Sequence, residues 1–266
     1  MSALASRRRP VLAVCAALLL ALFALTALAP LPYTLAHPGV TADVGGEHEG
    51  RPVITVTGPG AGEPREPDGA LLMTTIAATS PDATVRLADV LGGWFATDRA
   101  VMPRDVVYPV GDSTEEIRDY NSGQMARSQE AAVRAALAEL GLSGGDVTVR
   151  LRLDEIGGPS AGLLFALGIV DAVEGDGNGG GLTGGRTVAG TGTIDEDGTV
   201  GPVGGVPLKT QAAARDGAEV FLVPEAECAE ARSERPEGLR LVPVRTLDGA
   251  LDALAALREG EEPPRC

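Results

Sequence analysis

The chain has 266 residues, 44% of them hydrophobic but only 3% aromatic, with 36 glycines and 19 prolines. That is room for one domain of about 200 residues, built on a small-residue aliphatic core, plus accessory segments. Its formal net charge of -15 argues against nucleic acid or anionic lipid as a main partner, since both repel such a surface.

Residues 1–34 read as a cytoplasmic tip followed by a transmembrane anchor. Arg7, Arg8 and Arg9 precede PVLAVCAALLLALFALTALAP, about 20 apolar residues, which cross a bilayer at about 1.5 Å per residue. The arginines stay cytoplasmic and put the remainder outside, so the expectation is a single-pass protein of the cell membrane with its folded part extracytoplasmic. A cleaved signal peptide is the competing reading, because LTALA supplies small residues near the end of the span; the length of the span favours an uncleaved anchor. Cys15 lies within it, which leaves Cys228 and Cys266 as a pair. A disulfide between them would pin the acidic tail REGEEPPRC to the body in an oxidising compartment, and two unpaired thiols are the alternative.

Residues 35–52, polar and bearing Pro and Gly, read as a linker. VITVTG (53–58) alternates as a strand, PGAGEPREPDG is a turn-rich loop, and ALLMTTIAAT is a buried strand. TVRLADVLGGWFA passes from strand to short helix. STEEIRDYNSGQMARSQEAAVRAALAELG is the clearest helix, with Glu115 and Glu116 in its first turn and Gly141 at its stop. Asn121 and Gly123 predict a break near residue 122.

DVTVRLRLDEI has the period of a half-exposed strand, and GGPSAGLLFALGIVDAV turns sharply into an apolar helix. RTVAGTGTIDEDGTVGPVGG predicts two strands about an Asp-Gly turn. VPLKTQAAARDG is a helix opened by Pro207 and closed by Gly217, followed by the strand AEVFLVP. EAECAEARS is a helix, LRLVPV a last strand and TLDGALDALAALRE the closing helix. The alternation of strands and helices in the second half makes the class α+β, a mixed α/β domain.

Elimination narrows the chemistry. His37 and His48 are the only histidines and both fall in the expected linker, which argues against a Ser-His-Asp triad in the folded part. No clustered His or Cys suggests zinc, and GTGTIDEDG lacks calcium-loop spacing, so no metal or cofactor is expected. Lys209 is the only lysine, and Leu208 precedes it, so no Gly-Lys-Ser/Thr phosphate loop and no ATPase module is recognisable.

Ser160 follows EIGGP and opens a helix. Pro159 disfavours helical geometry at Gly158, so the turn is abrupt, and N–H groups at the helix start are placed to stabilise an oxyanion. A capping serine is the commoner role at such a position. Lys209 stands near the start of its own helix beside apolar Val206 and Leu208. Both the helix dipole and burial favour its neutral amine, which can take a proton from a serine hydroxyl.

These two stretches resemble the proteolytic domain of Lon-type (S16) serine proteases, which use a Ser-Lys dyad. GGPSAGLLFALGI is similar to the family's nucleophile segment and GTVGPVGGVPLK to its lysine segment, with Gly204 and Gly205 on the family's glycine pair. SGQMARSQEAAVRAAL is similar to the helix before the catalytic strand, so the resemblance covers about residues 50 to 257. It implies the ribosomal protein S5 domain 2-like fold, Ser160 as nucleophile, Lys209 as base and Thr191 orienting the lysine. Backbone N–H groups around Gly158, Pro159 and Ser160 would then form part of the oxyanion site.

Membrane-anchored, ATP-independent Lon-like proteases of Gram-positive bacteria are the nearest in style. Many insert a PDZ module where this chain has only GLSGGD, which puts substrate recruitment in doubt. Lon itself carries an acidic residue three before the serine; here Gly157 stands there, with Asp154 and Glu155 nearby. The resemblance implies a map of anchor 1–34, linker 35–52, protease domain 53–257 and acidic tail 258–266. It implies protein or peptide substrates, no nucleic acid, and a homo-oligomer that is hexameric by analogy. A catalytically silent scaffold on the same fold is the alternative function, and an esterase-like Ser-Lys hydrolase a third.

Overall fold

The structure is a computed structural model that describes residues 3–61, 68–110, 113–153 and 159–266, with side chains from residue 10 onward. In chain order the elements begin with α1 (Ala3–Leu28), β1 (Tyr33–Asp43), β2 (Glu47–His48), β3 (Arg51–Pro52), β4 (Ile54–Thr57) and β5 (Ala70–Ala78). Next come α2 (Leu87–Trp94), β6 (Ala100–Pro103), α3 (Arg104–Val107), α4 (Thr114–Glu139), β7 (Thr148–Leu151) and α5 (Gly162–Val173). The rest are β8 (Thr187–Gly190), β9 (Thr193–Ile194), β10 (Val200–Gly201), α6 (Val206–Arg215), β11 (Val220–Pro224), α7 (Cys228–Ser233), β12 (Arg240–Val244) and α8 (Leu247–Glu259). The chain divides into two compact units, Met1–Ala36 with Ala78–Thr114 and His37–Ala77 with Glu115–Cys266.

The first unit holds α1. Its residues Pro10–Leu28 have a mean hydropathy of 2.8 and none of that stretch is buried, so it is long and apolar enough to cross a membrane. Beyond it, Tyr33 to Ala36 pair antiparallel with β6, from Tyr33↔Pro103 to Ala36↔Ala100. Tyr108 closes the unit by donating its hydroxyl to the Thr79 carbonyl at 2.7 Å.

The second unit is built on a sheet in the order β12-β11-β8-β5-β1. β5, β8, β11 and β12 run parallel. Each of these strands feeds two cores in alternation, as the strand period of two requires. Leu71, Met73, Val188, Leu222 and Val242 face a core shared with α4, α5 and α8. Leu72, Ala189, Phe221, Val223 and Leu241 face the other, shared with α6 and α7. Helix α5 is buried continuously from Gly162 to Val170, which explains a segment apolar on every side. At about 1.5–3 kcal/mol per buried large aliphatic side chain, this helix is a principal anchor of the fold.

Two expectations are corrected. Residues 35–52 are not a linker, because β1 runs to Asp43 and β2 and β3 pair as a short hairpin. Pro38 and Gly39 read as loop residues, but pairing within the sheet overrides local propensity. Helix α4 is also unbroken at Gly123. Glycine there costs about 1 kcal/mol relative to alanine. The side-chain bonds of Gln124 with Tyr120 (2.8 Å) and of Arg127 with Gln124 (2.6 Å) span the turn on either side.

Candidate active site

Thr191 is the first residue past β8, at the carboxyl end of a parallel strand where an open α/β sheet offers its crevices. It is fully buried, and its N–H donates to the Leu222 carbonyl at 3.0 Å. Its hydroxyl donates to the Ser160 carbonyl at 3.1 Å. The Gly192 N–H donates to that same carbonyl at 2.9 Å, and the Leu163 N–H returns to Gly192 O at 3.2 Å. Two donors thus hold the Ser160 main chain, in the single 3₁₀ turn Pro159–Ala161 that leads into α5. One residue earlier, the hydroxyl of Ser128 on α4 donates to the Pro159 carbonyl at 3.0 Å. Ser160 itself stays partly exposed and Pro159 exposed.

Lys209 comes from the opposite side of the sheet. Helix α6 starts after Gly205, whose φ of 69° is left-handed and suits glycine, and Pro207 sits in its first turn. Lys209 is only 3% exposed, and its Nζ donates to Thr191 Oγ1 at 3.0 Å. Desolvation pushes its pKa down to about 8, against the pull of the Glu227 and Glu230 carboxylates, which favour the cation. Glu227 accepts the Val203 N–H on Oε1 at 2.8 Å. Its Oε2 is buried with no hydrogen-bond partner among the described residues. Burial raises the pKa of this carboxyl, opposed by the Val203 N–H and by Lys209.

One hydroxyl therefore links the two residues that the sequence singled out. Because Thr191 gives its proton to Ser160 O, its oxygen accepts from Lys209. A neutral amine in that position keeps a lone pair for a second partner. Among the described residues that partner is not yet the Ser160 hydroxyl: the hydrogen bond of Nζ goes to Thr191. Gly158, together with Asp154, Glu155 and Gly157, lies outside the described residues. Pro159 has no N–H, so any oxyanion role of its own is confined to shaping the turn.

Sequence reasoning missed Ser128 and Glu227. A serine inside a long polar helix gave no signal, and Glu227 stood in an acidic run that reads as a solvated face. Cys228 and Cys266 are joined by a disulfide, their Cα atoms 5.1 Å apart, against the core under α6 and α7; Cys15 is unpaired and exposed. No group of three or more His, Cys, Asp or Glu among the described residues is placed to hold a metal. A cavity of about 280 Å³ in the second unit is lined by Asp43, Asp68 and Asp171 among others, and neither Ser160 nor Lys209 reaches it.

Residues 155–256 match the family model of the Lon protease (S16) C-terminal proteolytic domain. Over these residues the chain is similar to a Lon-type proteolytic domain. Ser160, Thr191, Lys209 and Glu227 all fall within the matched residues, and the mixed α/β architecture around a parallel-rich sheet is consistent with that domain type. Lon protease 2 of Bacillus subtilis (strain 168) is 29% identical over 158 residues, which is 58% of this chain and 27% of that protein. The chain thus spans well under half the length of this relative.

Proposed function

We propose that this chain is a membrane-tethered serine endopeptidase that cleaves extracytoplasmic proteins without ATP, with Ser160 as nucleophile and Lys209 as general base. The observation that carries the reading is the buried Lys209 amine, brought to a pKa of about 8 and hydrogen-bonded to the hydroxyl that also holds Ser160. In the substrate complex the Ser160 hydroxyl comes within about 3 Å of the amine and yields its proton as Oγ attacks the scissile carbonyl. N–H groups at the start of the turn into α5 stabilise the oxyanion. The Lys209 cation then protonates the leaving amine, and the same lysine, neutral again, activates the water that releases the acyl group.

The apolar Pro10–Leu28 stretch supports tethering, and the Cys228–Cys266 disulfide supports an oxidising, extracytoplasmic side. ATP independence rests on the resemblance to membrane-anchored, ATP-independent Lon-like proteases. Self-association, with a hexamer as the expected state, rests on the family resemblance. A catalytically silent scaffold is the second reading, favoured by the hydrogen bond that Lys209 makes to Thr191 instead of the Ser160 hydroxyl. Hydrolysis of fluorescent casein by the purified full chain separates the two. The proposal requires turnover that ATP does not stimulate and that Ser160→Ala and Lys209→Arg each abolish; activity retained in either variant refutes the dyad.

A further inference from the structure

Helix α2 is amphipathic in reverse. Val90 and Gly93 face inward, while Leu91, Trp94 and Phe95 face solvent, the last two 74% and 85% exposed. Their spacing of three and four residues puts them on one face. The helix cannot roll to bury them. A Cβ at Gly93 would lie 2.8 Å from Leu35 Cδ2 and 2.9 Å from Val101 Cγ2, so its inward face is seated on β1 and β6 without slack. Asp89 fixes the first turn by accepting the Arg86 N–H at 2.9 Å.

The same unit places this face beside the end of the apolar span. α1 packs against α2. Leu31, just past the end of α1, donates its N–H to the Val85 carbonyl at 2.8 Å, just ahead of α2. A tryptophan and a phenylalanine held where a spanning helix leaves the hydrocarbon match the amphipathic level of a bilayer, where aromatic side chains concentrate. The net charge of -15 disfavours contact through anionic headgroups, so an uncharged aromatic contact is the kind this chain can make.

We propose that Leu91, Trp94 and Phe95 seat in the interfacial layer of the bilayer that α1 spans, as a second membrane contact. The inference rests on the reading of α1 as a span, and the test separates the two. Trp94 is the only tryptophan, so its fluorescence reports this site alone. The full chain is reconstituted in phosphatidylcholine vesicles carrying a doxyl quencher either near the headgroup or deep in the acyl chains. The expected result is quenching by the shallow label at least about two-fold greater than by the deep one, as an interfacial depth requires, with Trp94 shielded from acrylamide. Leu91→Ser with Phe95→Ser should weaken that quenching while flotation of the chain with vesicles at alkaline pH is unchanged. A chain that floats while acrylamide reaches Trp94 fully overturns this inference and leaves the span intact. Shielding from acrylamide without doxyl quenching also overturns it, in favour of a protein partner on this face. A chain that does not float overturns the span and this inference together.

Discussion

Replacing Lys209 with methionine should stabilise the fold at neutral pH while removing its activity. The Lys209 pKa is about 8 in the folded state against 10.5 for the unperturbed group. Below pH 8 both states hold the proton, and the folded state bears the full cost of a buried cation. Between about pH 8 and 10.5 only the unfolded state keeps it, so stability rises with pH, and above that window the cost is gone. The difference of about 2.5 units corresponds to roughly 3 kcal/mol at about 1.4 kcal/mol per unit. Methionine fills a similar volume but leaves Thr191 Oγ1 without its donor, which returns about 1 kcal/mol. The net gain is about 2 kcal/mol at pH 7, shrinking to nothing near pH 10. Urea unfolding of the full chain in detergent micelles, followed by far-UV circular dichroism at both pH values, measures it. A variant less stable than the wild type at pH 7, or a difference that does not change with pH, would refute the reasoning.

Glu227→Gln keeps an acceptor for the Val203 N–H but removes a charge that favours the Lys209 cation. The acid limb of the pH–rate profile should therefore move to lower pH; an unmoved limb means that Glu227 has only a structural part. Thr191→Val deletes the hydroxyl between Lys209 and Ser160 O, and acylation should fall about 100-fold. Thr191→Ser should recover most of that loss, and equal loss in both variants would count against a positioning hydroxyl. Cys228→Ala with Cys266→Ala opens a cross-link between residues 38 apart, and should cost about 4 kcal/mol of unfolding free energy on the chain-entropy estimate. Unchanged urea stability would show that the bond does not restrain the unfolded chain.

Much of this was legible in the residues because local and global signals agreed. AEVFLVP and LRLVPV read as strands and contain β11 and β12, and the apolar run after Ser160 is the buried α5. The lone lysine stands out by composition, and in the structure it is buried and hydrogen-bonded to Thr191. What failed to show was tertiary in origin. β1 hides behind Pro38 and Gly39, whose local preferences are overridden by strand pairing. Ser128 and Glu227 matter through partners far away in sequence, Pro159 and Lys209, and no periodicity reports such a contact. Burial of the lysine was legible from its apolar neighbours Val206 and Leu208, whereas the opposing carboxylates Glu227 and Glu230 come from a separate segment.

The central claim is that Lys209, its pKa lowered by burial to about 8, activates Ser160 in its neutral form. Its most direct test is the rate at which a small fluorophosphonate acylates the chain as a function of pH, with the adduct located by mass spectrometry. The account predicts an adduct on Ser160 whose rate of formation rises about ten-fold per pH unit on the acid side and levels off near pH 8, with no adduct in Lys209→Arg. A rate independent of pH, an adduct on another residue, or undiminished labelling of Lys209→Arg would contradict it.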